Sequence, residues 1–399
     1  MKKLTLNDLD LRSQRVLVRV DFNVPLTEDD SGNRRVGDDT RIRAALPTIR
    51  RIIDAEGKAI LMSHLGRPGG KPDPDLSLSC VAAHLEELLD ERVRFSSNTT
   101  GAAVKEVINN MPEGSVMLLE NTRFEPGEKK NDDVFAAELA ELADVYVNDA
   151  FGAAHRAHAS TEGVARQMPK AAMGLLMERE VEVLTKVRDH PEQPLVVLLG
   201  GAKVSDKIGV IEAFSETAEH VLVGGAMSYT FLKALGHEVG DSRVEEDRLD
   251  RAEELYDNAP DTIQLPSDHV IADEFSADAE TQTVEGDIPD GWMGLDIGPN
   301  TIDAYRAALN SAATIIWNGP MGVFEMEPFA TGTRAMAETL AEATDGGAYT
   351  VVGGGDSVAA LAEAGYTDRI SHVSTGGGAM LTFLEGEPLP GLEALTDAS

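Results

Sequence analysis

Residues 195–210 read LVVLLGGAKVSDKIGV. The opening run, Leu195 to Leu199, is short, apolar and rich in branched side chains, which predicts a strand buried on both faces. Two glycines turn the chain, and a helical pattern follows. The same unit recurs along the sequence. In the first half its apolar runs are Val16–Val20, Ile60–Met62, Val116–Leu119 and Val145–Val147. In the second half they are Leu195–Leu199, Val221–Val223, Ile315–Trp317 and Val351–Val352. Strand, turn and helix repeated in this way predict an α/β fold built on parallel sheet. No solenoid-type short period is present.

At 399 residues the chain exceeds the size at which one core stops growing, so two domains are expected. Between the two sets of strands lies Met173 to Asp189, whose apolar residues recur at Leu176, Val181, Leu184 and Val187 before Pro191. This predicts a helix connecting two lobes. The expected division is 1–171, a hinge at 172–190, 191–382, and a tail at 383–399 that ends in PLPGL and a short helical pattern. Met1 to Ser13 lacks the apolar centre of a secretory signal. No apolar run approaches membrane-spanning length. The sole cysteine, Cys80, lies in a helical stretch and reads as a small buried hydrophobe rather than a nucleophile. A cytoplasmic protein, without a membrane partner, is expected.

The net charge is −34, unevenly spread. Residues 1–171 carry 23 Lys+Arg against 28 Asp+Glu, and residues 172–399 carry 12 against 41. Of 12 lysines none follows Lys233. Such a surface repels nucleic acid, which is therefore excluded as a partner. It also suggests adaptation to high salt, where counterions screen self-repulsion.

Ligands of open parallel sheets sit at the carboxyl ends of the strands. In the first half those ends carry Asp21 and Asn23, then Ser63–His64–Leu65–Gly66–Arg67, then Glu120, Asn121 and Arg123, then Asn148, Asp149, His155, Arg156 and His158. Arg41 opens a helical segment. Arg41, Arg67, Arg123 and Arg156 with His64 are expected to converge on one face. The planar guanidinium suits phosphate and carboxylate, and Asp21 and Asn23 suit a hydroxyl. The expected ligand is small, strongly anionic and hydroxylated. His155 and His158 lack an obvious third metal ligand.

In the second half the strand ends are rich in glycine. Gly200 and Gly201 precede Lys203 and Lys207; Asn318 precedes Gly319 and Glu325; Gly353, Gly354 and Gly355 precede Asp356 and Ser357; and Gly376, Gly377 and Gly378 follow Thr375. Glycine admits a phosphate close to the backbone, and the helix that follows offers free N–H groups. Asp356 adds a carboxylate suited to the magnesium that accompanies a nucleotide. Neither GxxxxGK[ST] nor GxGxxG follows these strands, which argues against a P-loop lobe and a standard NAD lobe.

RVDFNVP, SHLGRP, LLENTRF, NDAFGAAHRAHAS, GGAKVSDKIGV, WNGPMGVFE, GGGDS and STGGGA occur in the order seen in phosphoglycerate kinases, which the chain resembles from Lys3 to the tail. The resemblance implies two Rossmann-like parallel-sheet domains joined by a connecting helix, with the tail returning to the first. It implies transfer between 1,3-bisphosphoglycerate and MgADP, giving 3-phosphoglycerate and MgATP, by a monomer that closes about its hinge. Matched motif by motif, Asp21, Asn23, Arg41, His64, Leu65, Gly66, Arg67, Arg123 and Arg156 would bind phosphoglycerate. Lys207, Gly294, Asn318, Glu325, Gly354, Gly355, Asp356 and Ser357 would bind ATP or ADP, with Asp356 near Mg2+. Arg41, Lys203 and the amides of Gly376, Gly377 and Gly378 would surround the transferred phosphoryl. The acidity adds the expectation of a halophilic, archaeal source. The loop Thr27 to Val36 departs from the family pattern in length and charge.

The nucleophile in the ATP-consuming direction is a carboxylate, ionised at neutral pH, so no general base is needed. Two rivals stay open at this stage. A two-lobed anion-binding protein does not explain GGGDS with its lysines. An NAD-dependent dehydrogenase lacks its fingerprint. An assay for ATP formation separates all three.

Overall fold

All eight expected apolar runs fall on strands, and their register explains why they position the candidate site residues. The structure, a computed structural model, describes residues 2–29 and 31–398; Met1, Asp30 and Ser399 lie outside the described residues, at the N-terminus, in the charged loop and at the tail's end. The chain divides into two compact units, Met1–Glu182 with Pro388–Ser399, and Val183–Glu387.

The first unit contains β1 (Arg15–Arg19), β2 (Leu26–Glu28), β3 (Arg34–Val36), β4 (Lys58–Met62), β5 (Val93–Phe95), β6 (Val116–Leu118), β7 (Val145–Asn148) and β8 (Ala171–Met173). Six form one sheet in the order β5-β6-β4-β1-β7-β8. All its pairings are parallel. Arg19 pairs with Met62 on one side and Asn148 on the other, so three strands end level. Chain order reverses between β1 and β7, where a parallel sheet opens a crevice. Apolar residues of both sheet and helices, among them Val18, Leu61, Val147, Ile42, Ile49 and Leu85, form the core. The segment expected as a charged loop is a hairpin instead: Leu26 pairs with Val36 and Glu28 with Arg34. The Asp29 carboxylate accepts from the Ser31 and Asn33 N–H groups and so forms the turn, a signal carried by no apolar residue.

The connecting helix runs from Leu175 to Asp189. Met173, expected inside it, closes β8, and the Gly174 N–H donates to the Asn148 carbonyl. The tail is tied to the first unit. The Thr396 N–H donates to the Ala171 carbonyl, the Leu4 N–H to the Thr396 carbonyl, and Asn148 Nδ2 to the Gly391 carbonyl.

The second unit contains β9 (Leu195–Leu199), β10 (His220–Val223), β11 (Ile263–Gln264), β12 (Asp268–Ala272), β13 (Thr281–Glu285), β14 (Met293–Ile297), β15 (Thr314–Asn318), β16 (Tyr349–Gly353) and β17 (His372–Val373). The larger sheet, β11-β10-β9-β15-β16-β17, is again parallel. Leu199 pairs with Val223 and Asn318, and Asn318 with Gly353, so the glycine turns leave one edge. A second, antiparallel sheet, β13-β12-β14, was not expected. Trp317, Leu198, Met336 and Leu361 lie in the core beneath the glycine turns.

Candidate functional site

At the strand ends of the first unit the side chains are held by one another before any ligand arrives. Arg41, in the first turn of helix Thr40–Asp54, donates from Nη1 to the Asn23 carbonyl at 3.0 Å and lies 3.4 Å from the Asp21 carboxylate. The Gly66 N–H donates to Asn23 Oδ1 at 2.9 Å, and the Leu65 N–H to Asn121 Oδ1 at 3.2 Å. Leu65 and Gly66 therefore use their amides internally and shape the loop rather than present free donors. Arg123 Nη1 donates to the Gly66 carbonyl at 2.6 Å, and its buried Nε has no partner. Arg67, Arg123 and Arg156 line a cavity of about 650 Å³ together with Lys129, Lys130 and His158.

Behind this cavity is Arg19, 1 % exposed, which sequence reading left inside an apolar strand. Its Nε donates to Ser160 Oγ, another N–H meets the Val20 carbonyl, and Nη2 lies 3.0 Å from His64 Nδ1. A guanidinium only donates, so His64 Nδ1 is the acceptor and its proton resides on Nε2. Burial first, then Arg19, Arg123, Arg156 and Arg41, push the His64 pKa well below its ordinary value, so the ring is neutral. Burial, helped by Arg156 and Arg19, brings Arg123 down to about 10. The buried Glu128 carboxylate accepts from the Ser160 N–H and hydroxyl and from Thr122 Oγ1. An acid in so polar a stretch gives no sequence signal of burial. His158 is lowered to about 4 by burial and the surrounding arginines, and His155 Nε2 accepts from Arg156. Among the described residues no cluster of three or more His, Cys, Asp or Glu is placed to hold a metal.

In the second unit a cleft of about 440 Å³ opens at the strand ends. Gly201, Gly225, Gly294, Glu325 and Asp356 line it, with Phe275, Leu295 and Val323 as its apolar part. Phe275 is 60 % exposed although large and apolar, and sequence reading missed it because it stands alone in a polar stretch. Gly294 is required by packing, since a Cβ there would lie 2.1 Å from the Tyr229 hydroxyl.

Lys207 is buried and contacts Asn318 Oδ1, while Asn318 Nδ2 is buried without a partner. Burial lowers Lys207 to about 8. The helix Gly355–Ala364 begins after Gly354 and carries Asp356 in its first turn; Ser357 is buried and its Oγ accepts from the Gly319 N–H at 2.6 Å. The helix Gly377–Leu384 is capped by Gly376. A Cβ on Gly377 would sit 3.1 Å from Gly354 Cα, and one on Gly354 would sit 3.1 Å from Asn318 Nδ2. The structure thus groups Lys207, Asn318, Gly354 and Gly377. Gly378, Gly355 and Lys203 are exposed, and none of them lines the cleft.

Two helix N-termini beside a glycine-floored cleft suit an anion whose other end is apolar and flat. Asp356 fits magnesium: it is an exposed hard oxygen donor in the cleft, and magnesium is held by one or two carboxylates plus phosphate.

Residues 6–387 match the sequence profile of the family described as phosphoglycerate kinase. A curated phosphoglycerate kinase of Salinibacter ruber is 70 % identical over 398 residues, covering 100 % of both chains. One of Chloroflexus aurantiacus is 55 % identical over 404 residues, again covering 100 % of both. The solved phosphoglycerate kinase of Coxiella burnetii aligns with a TM-score of 0.86 at 40 % identity, covering 98 % of each chain. Salinibacter ruber is a bacterium, so the expected archaeal source is not supported.

Proposed function

The chain belongs to the phosphoglycerate kinase family, and on that premise we propose that the first unit holds phosphoglycerate and the second holds the nucleotide. The enzyme is a glycolytic phosphotransferase, moving a phosphoryl group reversibly between 1,3-bisphosphoglycerate and ADP. The observation that carries the assignment of sites is the cavity lined by Arg67, Arg123 and Arg156 in a chain of net charge −34, set against a glycine-floored cleft in the other unit.

Arg67, Arg123 and Arg156 bind the phosphate of phosphoglycerate through their forks. The His64 Nε2–H, Asp21 and Asn23 orient its hydroxyl and carboxylate. Lys207, Asn318 and the turn Gly354–Ser357 take the nucleotide phosphates, with Gly294, Glu325 and Phe275 around the nucleoside. Asp356, together with the nucleotide phosphates, would hold magnesium, which would supply neutralisation of phosphate charge. Arg41, Lys203 and the N–H groups of Gly376, Gly377 and Gly378 surround the transferred group. The attacking carboxylate of 3-phosphoglycerate needs no base, so these residues work by positioning and charge stabilisation. In the ATP-consuming direction its oxygen bonds to the γ-phosphorus as the bond to the β-γ bridging oxygen breaks, releasing ADP.

The two ligands must be brought together, and we assign the hinge to helix Leu175–Asp189. Small-angle scattering should show compaction only with both substrates. We further assign the chain to the cytoplasm as a monomer acting on small molecules, with no nucleic-acid or membrane partner; no helix among the described residues is long and apolar enough to cross a membrane. Its acidity is read as salt adaptation, so thermal midpoints should rise between low and molar KCl, and equal midpoints would contradict it.

The test of the function is ATP formation from 1,3-bisphosphoglycerate and MgADP, with Lys203→Ala beside the parent. The parent should form ATP, and the variant should lose on the order of 10²–10³ in kcat with nucleotide Kd little changed. A parent that forms no ATP overturns the reading, and a variant with near-normal kcat removes Lys203 from it.

A further inference from the structure

Lys203 is exposed and stands in extended conformation at the head of the short 3-10 turn Val204–Asp206, with no side-chain cap of its own. A lysine on a loop carries four rotatable bonds, so its placement depends on how firmly the backbone beneath it is fixed. Four residues on, Lys207 is buried against Asn318, which fixes the far end of the turn.

The near end is fixed by a residue distant in sequence. Glu245 lies in the connection between helix Met227–Ala234 and helix Leu249–Asn258. Its Oε2 accepts from the Ser205 N–H at 3.0 Å and its Oε1 from the Ser205 hydroxyl at 2.6 Å. The Val204 N–H lies near enough to favour its ionised form. These are the free amides at the start of a turn, which a carboxylate satisfies best. Glu245 is itself anchored, because its N–H donates at 3.1 Å to Oγ1 of Thr230, a residue 1 % exposed. Burial raises the Glu245 carboxyl, but the bonds from Ser205, the Val204 N–H and the nearby Lys203 outweigh it, and the group stays ionised. Val204 is 1 % exposed, so the clamp is a packed one.

We propose that Glu245 is a positioning residue for phosphoryl transfer, clamping Ser205 and with it the turn Val204–Asp206 so that Lys203 is presented in one place. The proposal rests on the reading that Lys203 contacts the transferred phosphoryl. Glu245 lines neither the cavity of the first unit nor the cleft of the second, and it acts only through the turn. A misplacement of about 1 Å at a reacting group costs on the order of 10²-fold in rate. Loss of the clamp should therefore appear in kcat, with both KM values little altered.

The experiment compares Glu245→Gln, Glu245→Ala, Ser205→Ala and Lys203→Ala, and combines Glu245→Ala with Lys203→Ala. Steady-state kcat, both KM values and the thermal midpoint are read for each. Glu245→Gln keeps one acceptor and should lose roughly 5–20-fold in kcat, and Glu245→Ala roughly 10²-fold. The combined variant should be no slower than Lys203→Ala alone, because residues acting as a unit are not additive. A merely structural role predicts the opposite, the same further loss with Lys203 absent, and that result overturns the proposal. Normal kcat in Glu245→Ala with Lys203→Ala impaired also overturns it and leaves the reading of Lys203 standing. Normal kcat in Lys203→Ala overturns both. If Glu245→Ala does not fold, Glu245→Gln combined with Lys203→Ala gives the same comparison.

Discussion

Replacing Gly319 by alanine should unfold the second unit far more readily than the same change at Gly201, although both glycines have a strongly positive φ, +96° and +101°. An L-residue at such angles is strained by roughly 1–3 kcal/mol wherever it stands. At Gly201 nothing lies within 4 Å of the added Cβ, so strain is the whole cost. At Gly319 the Cβ would lie 2.2 Å from the Gly200 carbonyl oxygen and 2.4 Å from its carbon. Neither partner can give way cheaply. The Gly200 N–H donates to the Asn318 carbonyl at 3.0 Å and the Gly201 N–H to the Pro320 carbonyl at 2.8 Å, while Gly319 is held by Ser357 Oγ and Trp317 Nε1. Overpacking adds about 1–3 kcal/mol, and each hydrogen bond broken adds about 1 kcal/mol. We therefore expect about 3–6 kcal/mol for Gly319→Ala and about 1–3 kcal/mol for Gly201→Ala, read by urea denaturation of the second unit. Gly201 lines the cleft, so its new methyl enters space assigned to the nucleotide. Calorimetric titration should find MgADP bound about 10-fold or more weakly by Gly201→Ala, worth ~1.4 kcal/mol. Equal stabilities would refute the packing argument, and unchanged MgADP affinity would refute the assignment of the cleft.

Phe275→Ala should weaken MgADP by about 1–2 kcal/mol without altering phosphoglycerate affinity, as measured by titration with each, if the exposed ring stacks on the nucleoside. Asp149 is fully buried, and burial pushes its carboxyl from an ordinary 3.8 up to about 7 against the nearby Thr48 hydroxyl and the bonds it accepts from the Met177 and Leu176 N–H groups. The folded state then holds a proton that the unfolded chain has lost, so stability is highest below the window from about 4 to 7 and falls as pH rises through it. Asp149→Asn keeps an acceptor for the Leu176 N–H and should gain on the parent by roughly 4 kcal/mol between pH 4 and pH 8; denaturation of the first unit that shows no such divergence would place the carboxyl at its ordinary value.

The strands that sequence reading found are those in which burial on both faces is written as a run of branched apolar side chains. Leu195–Leu199 is buried at every position, so the apolar run is the strand. The strands it missed give no such run. Val93–Phe95 has only one fully buried residue, Ala171–Met173 is short, and Thr281–Glu285 faces solvent at four of its five positions. The grouping of the candidate site residues was legible for a geometric reason. In a parallel sheet whose strands end level, the residues after each strand share one edge, so a list of strand ends is also a list of neighbours. That logic groups Asp21, His64 and Arg123 but does not reach residues that act from behind. Arg19 hides within an apolar run, and Glu128 and Glu245 look like solvated acids in an acidic chain.

These hidden residues explain how a chain so acidic keeps a cationic site. Arg19, Arg123 and Arg156 repel one another, and the repulsion, with burial, is visible in Arg123 at about 10. A pKa of about 10 still leaves the guanidinium charged at neutral pH, so the cluster keeps its charge and carries the repulsion. The charge of the buried Glu128 offsets part of it; its carboxylate accepts from the Ser160 hydroxyl, which in turn accepts from Arg19 Nε. Making His64 cationic would worsen it, and the ring is kept neutral by burial and those same arginines. On the proposed assignment, a bound dianion would supply the missing negative charge. Binding and relief of repulsion would then be one event, and a cluster preorganised in this way would have little left to rearrange around the anion proposed for it. The excess of acid on the rest of the surface does not compete for these arginines, because it lies in solvent and is screened within about 10 Å at 0.1 M salt, whereas Arg19 and Arg123 are buried.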